Sequence, residues 1–193
     1  MALGLIMKNF LILGKTGVGK SSFINSVFGY AIAETASDEA CTKIVSHFAL
    51  TLDYGKICLI DTPGLAEEGP ELDLHYLNMV KQSIKEKEIF MSIFVTPLHD
   101  TRFRPSEKFA IKSITEILGK HVWKTSWLVF TFAGLVEKEK LNEVCASKMN
   151  YFNSYLHDLL GLEFPGFKKI ILIDNKNSNW TDNGTPIQEF FKK

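Results

Sequence analysis

The chain has few cysteines and no excess of charge of either sign. Its three cysteines, Cys41, Cys58 and Cys145, are far apart, odd in number and in no metal-ligand spacing. That argues against a disulfide framework or a zinc site and reads as reduced thiols in a cytoplasmic protein. The 22 basic and 22 acidic residues cancel, so there is no electrostatic footprint for a nucleic acid and none is expected as a partner. No apolar run is long enough to span a bilayer. The longest, Ile89 to Val95, suits a buried strand, and Met1 to Met7 is too short for a span or a signal peptide. Ala2 excludes the N-myristoylation pattern. Any membrane attachment would need a segment outside this chain. There is no internal repeat, low-complexity tract or linker, and 193 residues suffice for one domain with its own core.

One stretch organises what is present. Gly14-Lys15-Thr16-Gly17-Val18-Gly19-Lys20-Ser21 satisfies every fixed position of G-x-x-x-x-G-K-[ST]. An apolar run, Asn9 to Leu13, precedes it. Ser22 to Phe28 follows with Phe23, Ile24 and Val27 at helical spacing. Strand, glycine loop and helix is the context that a phosphate-binding loop needs. The glycines let backbone N–H groups converge on one point and keep side chains out of the way of a phosphate. The helix N-terminus turns its own N–H groups and positive dipole end toward that point. Lys20 would reach the β- and γ-phosphates, and the Ser21 hydroxyl would ligate Mg²⁺.

Further along, Gly29 to Thr42 has no clear periodicity and reads as a mobile loop over the nucleotide. Ile44 to Asp53 and Lys56 to Ile60 read as a hairpin around Asp53-Tyr54-Gly55. The second strand ends in Asp61-Thr62-Pro63-Gly64, about 40 residues beyond the phosphate loop. A D-x-x-G placed there is specific: Asp61 would hold the metal or one of its waters, and the Gly64 N–H would meet the γ-phosphate. Glu71 to Lys87 reads as a helix on Leu74, Leu77, Val80 and Ile84. Ile89 to Val95 reads as a strand. Pro105 to Leu118 reads as a helix with Phe109, Ala110, Ile114, Ile117 and Leu118 inward, ended by Gly119.

Ser126 to Phe132 reads as the next strand. A long helix from Lys138 to Leu160 follows, with an apolar stripe of Leu141, Cys145, Met149, Phe152, Leu156 and Leu159. Lys169 to Ile173 is the last strand, and Thr185-Pro186-Ile187-Gln188 reads as a capping box opening a final helix that Lys193 cuts off, so the natural chain is expected to continue. The alternation of strands and helices implies an α/β fold: a doubly wound, mostly parallel sheet of about six strands in a P-loop NTPase of GTPase type, with ligand at the carboxyl ends of the strands.

These motifs resemble those of the AIG-type GTPases, the immunity-associated GIMAP proteins and the Toc receptors of chloroplast import, themselves septin-like P-loop GTPases. The resemblance runs from about Phe10 to Asn177. It is carried by Gly14 to Ser22, by Thr42 lying nineteen residues before Asp61, and by Asp61-Thr62-Pro63-Gly64-Leu65. It continues in Arg102-Phe103 leading a helix to Leu118-Gly119, in Val129-Phe130-Thr131-Phe132-Ala133 and in Ile173-Asp174-Asn175. The box with Arg102 separates this family from Ras-like GTPases. A weaker similarity is to Era- and HSR-like GTPases, which share the first and third motifs.

The resemblance implies a single AIG-type GTPase domain over residues 1–193 and GTP or GDP as ligand with Mg²⁺. It further implies a nucleotide-dependent homodimer, an effector of unspecified chemistry, and a place in the cytoplasm or peripheral to an organelle membrane. It assigns Lys15, Thr16, Gly17, Val18, Gly19, Lys20, Ser21, Ser22, Thr131, Phe132, Asp174 and Asn175 to the nucleotide. Ser21, Thr42 and Asp61 go to the metal, and Arg102, Thr42 and Gly64 to catalysis.

The chain departs from common GTPases in two places. Where they read guanine with N-K-x-D, it has Thr131-Phe132-Ala133-Gly134, with no carboxylate. Toc receptors have T-H-A there, so Phe132 stands where a histidine lies against the base, and their I-E-N is matched by Ile173-Asp174-Asn175. A carboxylate at Asp174 would accept the two adjacent N–H groups of guanine and reject adenine. Where Ras-like enzymes place a water-orienting glutamine, this chain has Leu65. Unassisted hydrolysis is therefore expected to be no faster than about 10⁻⁴–10⁻³ s⁻¹. In relatives an arginine of the middle box reaches across a dimer to the partner's phosphates. Arg102 falls on that position, with Arg104 the near alternative. The competing expectation is an assembly module that loads GTP and barely hydrolyses it.

Overall fold

Strict alternation along the strands decides how the sheet is covered. The computed structural model describes residues 7–34, 43–66, 69–161, 164–174 and 186–192. In β1 (Met7–Gly14), Phe10 and Ile12 face one side and Leu11 and Leu13 the other, all fully buried or nearly so. A strand buried on both faces belongs in the middle of a parallel sheet with helices on each side. The sheet order is β2-β3-β1-β4-β5-β6, with β2 (Ser46–Leu52) antiparallel to β3 (Gly55–Asp61). β1, β4 (Ile89–Pro97), β5 (Ser126–Thr131) and β6 (Lys169–Leu172) continue in parallel from β3.

On one face, Phe23, Ile24, Val27 and Phe28 of α1 (Lys20–Phe28) pack with Trp127, Val129, Ile187 and Phe191. On the other, α2 (Pro70–Ser83), α3 (Pro105–Leu118) and α4 (Leu141–Leu160) close over Phe94, Leu128 and Phe130. Burying each of these large side chains is worth about 1.5–3 kcal/mol.

Three expectations are corrected by packing. Phe109 points away from the core and is 39% exposed; Glu107 and Ala110 take the inward places at the start of α3. Leu74 is 49% exposed, because α2 buries Asp73, Tyr76, Leu77 and Val80 instead. The last segment is a 3-10 turn over Ile187–Phe191 rather than an α-helix, held on β1 and β5 by Phe191 stacking edge-on to Phe10 and tilted against Trp127. The strand, helix and loop bounds otherwise shift by a few residues. The expected helix over Glu71 to Lys87 ends at Ser83, and Lys138–Lys140 is a 3-10 turn leading into α4. Most of the expected nucleotide loop, 35–42 with Thr42, and Asn175 lie outside the described residues.

β1 lies between β3 and β4, so the chain leaves β1 where the sheet's winding reverses. The ends of β1, β3, β4, β5 and β6 open on one edge, and each carries one of the motifs.

Candidate nucleotide-binding site

The phosphate loop leaves β1 at Gly14, paired with Val95 of β4, and enters α1 at Lys20. The Lys20 ammonium folds back to donate to the Lys15 carbonyl at 2.8 Å, which keeps it inside the curl of the loop. Ser21, in the first turn of α1, donates its hydroxyl to Asp61 Oδ2 at 3.0 Å. Asp61 ends β3 and is 2% exposed; its other carboxylate oxygen accepts the Thr62 N–H at 3.0 Å. The Thr62 hydroxyl donates to the Ile12 carbonyl at 2.7 Å, tying this turn to β1. A hydroxyl and a carboxylate side by side beside a phosphate loop form an oxygen-only donor set, the type that suits Mg²⁺.

Gly64 lies directly on the phosphate loop. A Cβ there would stand 2.4 Å from Thr16 Cα and 2.6 Å from Thr16 N. Only glycine permits that approach, and the Thr16 N–H donates to the Leu65 carbonyl at 3.2 Å across it. Leu65 itself is 2% exposed, so its side chain is packed rather than offered to a water. Beyond it, Ala66 adopts a left-handed φ of 62°, and its N–H is taken by both carboxylate oxygens of Asp73 at 2.9 Å. Burial pushes the Asp73 carboxyl upward, and the Ala66 N–H pulls it back.

The other half of this edge is built at the ends of β5 and β6. Thr131 is fully buried, and its hydroxyl donates to the Val18 carbonyl at 2.7 Å, joining this side to the phosphate loop. Phe132 follows in a left-handed conformation, φ 55°, and meets the His99 ring edge-on with 5.3 Å between centroids. The Ala133 N–H donates to the Ile173 carbonyl at 3.0 Å. This brings Asp174 over Gly134: a Cβ at 134 would lie 2.6 Å from Asp174 Oδ2. Gly134 is the position where N-K-x-D carries its carboxylate. The carboxylate that fills the space against it here comes from just past the end of β6.

The fourth loop, after β4, carries Arg102 and Arg104. Arg104 pairs with the Asp100 carboxylate, while Arg102, 77% exposed, stands 3.9 Å from it. Burial disfavours the charge on Asp100, but the Arg104 hydrogen bond and charge outweigh it, with the Arg102 N–H and Lys148 adding, and hold the carboxyl below its usual range. Under this loop lies an ion pair that the sequence reading missed. Lys148 of α4 is 3.4 Å from Glu107 of α3, with both side chains buried. Burial pushes the Lys148 ammonium down, and Glu107 opposes that. Removing one partner of such a pair costs about 3–5 kcal/mol, because the other charge stays behind.

A model of the AIG1 family matches residues 8–192. The chain belongs to the AIG1 family. It is 36% identical over 129 residues to GTP-binding protein A of Dictyostelium discoideum, covering 66% of this chain and 28% of that protein. It is 33% identical over 132 residues to translocase of chloroplast 34 of Arabidopsis thaliana, covering 68% of this chain and 42% of that protein. The chain thus spans less than half of these relatives' length. Among solved structures, Toc33 from Arabidopsis thaliana in complex with Mg²⁺ and GMPPNP has a TM-score of 0.78 at 22% identity, covering 97% of this chain and 82% of that one. A structure described by the importance of dimerization for the GTPase activity of atToc33 and psToc159 reaches 0.83 at 21% identity, covering 97% and 81%. At those identities the structural likeness establishes the P-loop GTPase fold of this AIG1 chain.

The residues missed from sequence are Glu107, Lys148, Asp73, Asp100 and His99. Lys148 left a signal, since it interrupts the apolar stripe of α4 between Cys145 and Phe152 at a core spacing. Asp73 and His99 left none, because their partners, Ala66 and Phe132, are set by loop paths.

Proposed function

We propose that this AIG1 chain is a Mg²⁺-dependent guanine-nucleotide switch, a slow GTPase that pairs with a second copy across its nucleotide face. The observation that carries the reading is the meeting of Ser21 and Asp61 at 3.0 Å beside a loop that Gly64 touches. It supports a site where Lys15 to Ser22 hold the phosphates while Ser21, Asp61 and Thr42 hold Mg²⁺, which would neutralise phosphate charge when bound. Gly64 would report the γ-phosphate. Thr131, Phe132, Asp174 and Asn175 would hold the base. The relatives support the ligands, since Toc33 has been solved both with Mg²⁺ and GMPPNP and with GDP and Mg²⁺.

The paired arrangement draws support from the relatives' dimers and from the loop after β4. Leu65 cannot orient a water, so charge developing on the phosphates needs another stabiliser. A guanidinium supplied in trans is worth about 10³–10⁵ in rate in related chemistry. Arg102 is the better candidate because Arg104 is committed to Asp100. A Toc33 arginine-to-alanine variant is described as dimerization deficient, which fits an arginine at such an interface. Turnover per protomer is expected to rise with protein concentration in the wild type and to stay flat in Arg102→Ala. Loss of the rise in Arg104→Ala with its retention in Arg102→Ala would move the role by two residues. A wild-type turnover independent of concentration would overturn the paired site.

A second reading, a GTP-loaded assembly module that scarcely hydrolyses, is favoured by the buried Leu65. It expects nucleotide-dependent association with no gain in turnover. The translocase relatives support a place peripheral to an organelle membrane. Among the described residues no helix is long and apolar enough to cross one.

A further inference from the structure

Lys148 is a lysine on the buried stripe of α4, 1% exposed, where a leucine or methionine would pack. Its ammonium has three N–H bonds and three acceptors. It donates to the Pro97 carbonyl at 2.7 Å and the Asp100 carbonyl at 2.6 Å, and it faces Glu107 Oε1 at 3.4 Å. Glu107 in turn accepts the Thr96 hydroxyl at 2.6 Å on Oε1 and the Arg104 N–H at 2.9 Å on Oε2. One buried ion pair therefore grips the chain at residues 96, 97, 100 and 104, on both sides of Arg102. Phe103 adds an anchor, its ring 4.7 Å from that of Phe152 on α4.

Stability does not explain this choice, because buried ion pairs are often matched or bettered by apolar side chains of the same volume. What an apolar side chain cannot do is hold two carbonyls of an irregular segment, and those carbonyls would be costly to bury without partners. Arg102 meanwhile projects into solvent from the middle of the fixed segment.

We propose that Lys148 is a positioning residue: through Glu107 and the carbonyls of Pro97 and Asp100 it sets the path of the segment after β4, and so the place from which Arg102 meets a partner's phosphates. The assignment of Arg102 rests on the paired-site reading above; the fixing of the segment does not.

The test uses the full chain with Lys148→Met combined with Glu107→Gln, so that no buried carboxylate is stranded. GDP affinity is first compared with the wild type, and the exchange of amides in the strands of the core is used to show that the variant is folded. Amide hydrogen exchange over residues 98–104 is expected to quicken about tenfold or more. The part of turnover that rises with concentration is expected to fall about tenfold or more, since small misplacements of reacting groups cost rates of order 10². Arg102→Ala is expected to lose the same part of turnover with exchange unchanged, which separates a missing guanidinium from a displaced one. Should the double variant not fold, Thr96→Val, which removes only the hydroxyl on Glu107, is expected to move both readouts the same way by a smaller factor. Wild-type exchange and a wild-type rise in the variants would overturn the proposal. If wild-type turnover itself does not rise, the paired site fails, and exchange alone decides whether Lys148 fixes the segment.

Discussion

At Asp174 a single missing atom elsewhere makes room for chemistry. The carboxylate lies over Gly134, where any side chain would collide with it. Guanine offers a ring N–H and an amino N–H side by side, and a carboxylate here can accept both. Asp174→Ala is expected to narrow the preference for GTP over ATP by about ten- to a hundredfold, because stranding a buried polar group costs about 1–3 kcal/mol. Gly134→Ala is expected to narrow it too, by pushing the same carboxylate aside. Competition binding with the two nucleotides measures both, and unchanged discrimination would move base recognition to backbone groups. The meeting of the glycine loop with Asp61 and Gly64 was legible in the sequence, because each motif directly follows an apolar strand of the same sheet. The carboxylate over Gly134 was legible only through family resemblance, since Gly134 is forty residues away in the turn after β5.

At the scale of elements, periodicity located the β-strands and α-helices among the described residues, but not the 3-10 turns at 120–123 and 187–191, nor which side chain faces in. The α4 stripe was read through Met149, whereas Lys148 holds the fully buried place and Met149 packs at the margin. A lysine is read as solvated by default, and its burial is explained by the Glu107 carboxylate together with the carbonyls of Pro97 and Asp100. Likewise α3 starts with Glu107 inward rather than Phe109, because Glu107 closes the first turn onto the Arg104 N–H.

Asp100 gives the segment after β4 a pH dependence. Its carboxyl is depressed in the folded chain, so its contribution to stability is full above the ordinary aspartate value of about 3.9 and is lost as pH falls through the lower folded value. Arg104 outweighs burial in lowering it, with Arg102 and Lys148 adding. The melting-temperature difference between wild type and Asp100→Asn is expected to hold steady from about pH 5 to pH 8 and to shrink below about pH 4. A difference that grows on acidification would show that Asp100 is not paired as described.

For the whole molecule, the consequence is that the ligand site and the fold share their supports. Five strand ends converge on one edge, and hydrogen bonds already cross between them: Thr62 to Ile12, Thr131 to Val18, and Thr16 to Leu65. A nucleotide bound there would bridge the β1 and β3 ends through its phosphates and the β5 and β6 ends through its base. Such a ligand binds the folded chain and not the unfolded one. At a concentration of about a hundred times Kd it adds about 2.7 kcal/mol. For a domain of this size each kcal/mol raises Tm by about 2–4 °C, so GDP with Mg²⁺ is expected to raise it by about 5–11 °C. ATP at the same concentration is expected to give a smaller shift if Asp174 accepts the two adjacent N–H groups that guanine has and adenine lacks. Lys20→Ala is expected to lose most of the GDP shift, since it removes the ammonium that would meet the β- and γ-phosphates. Thermal denaturation with GDP, ATP and neither, on both proteins, gives the full comparison. No shift with saturating GDP or GTP would sink the nucleotide reading. Equal shifts with GDP and ATP would leave the phosphate site standing and remove the guanine preference alone.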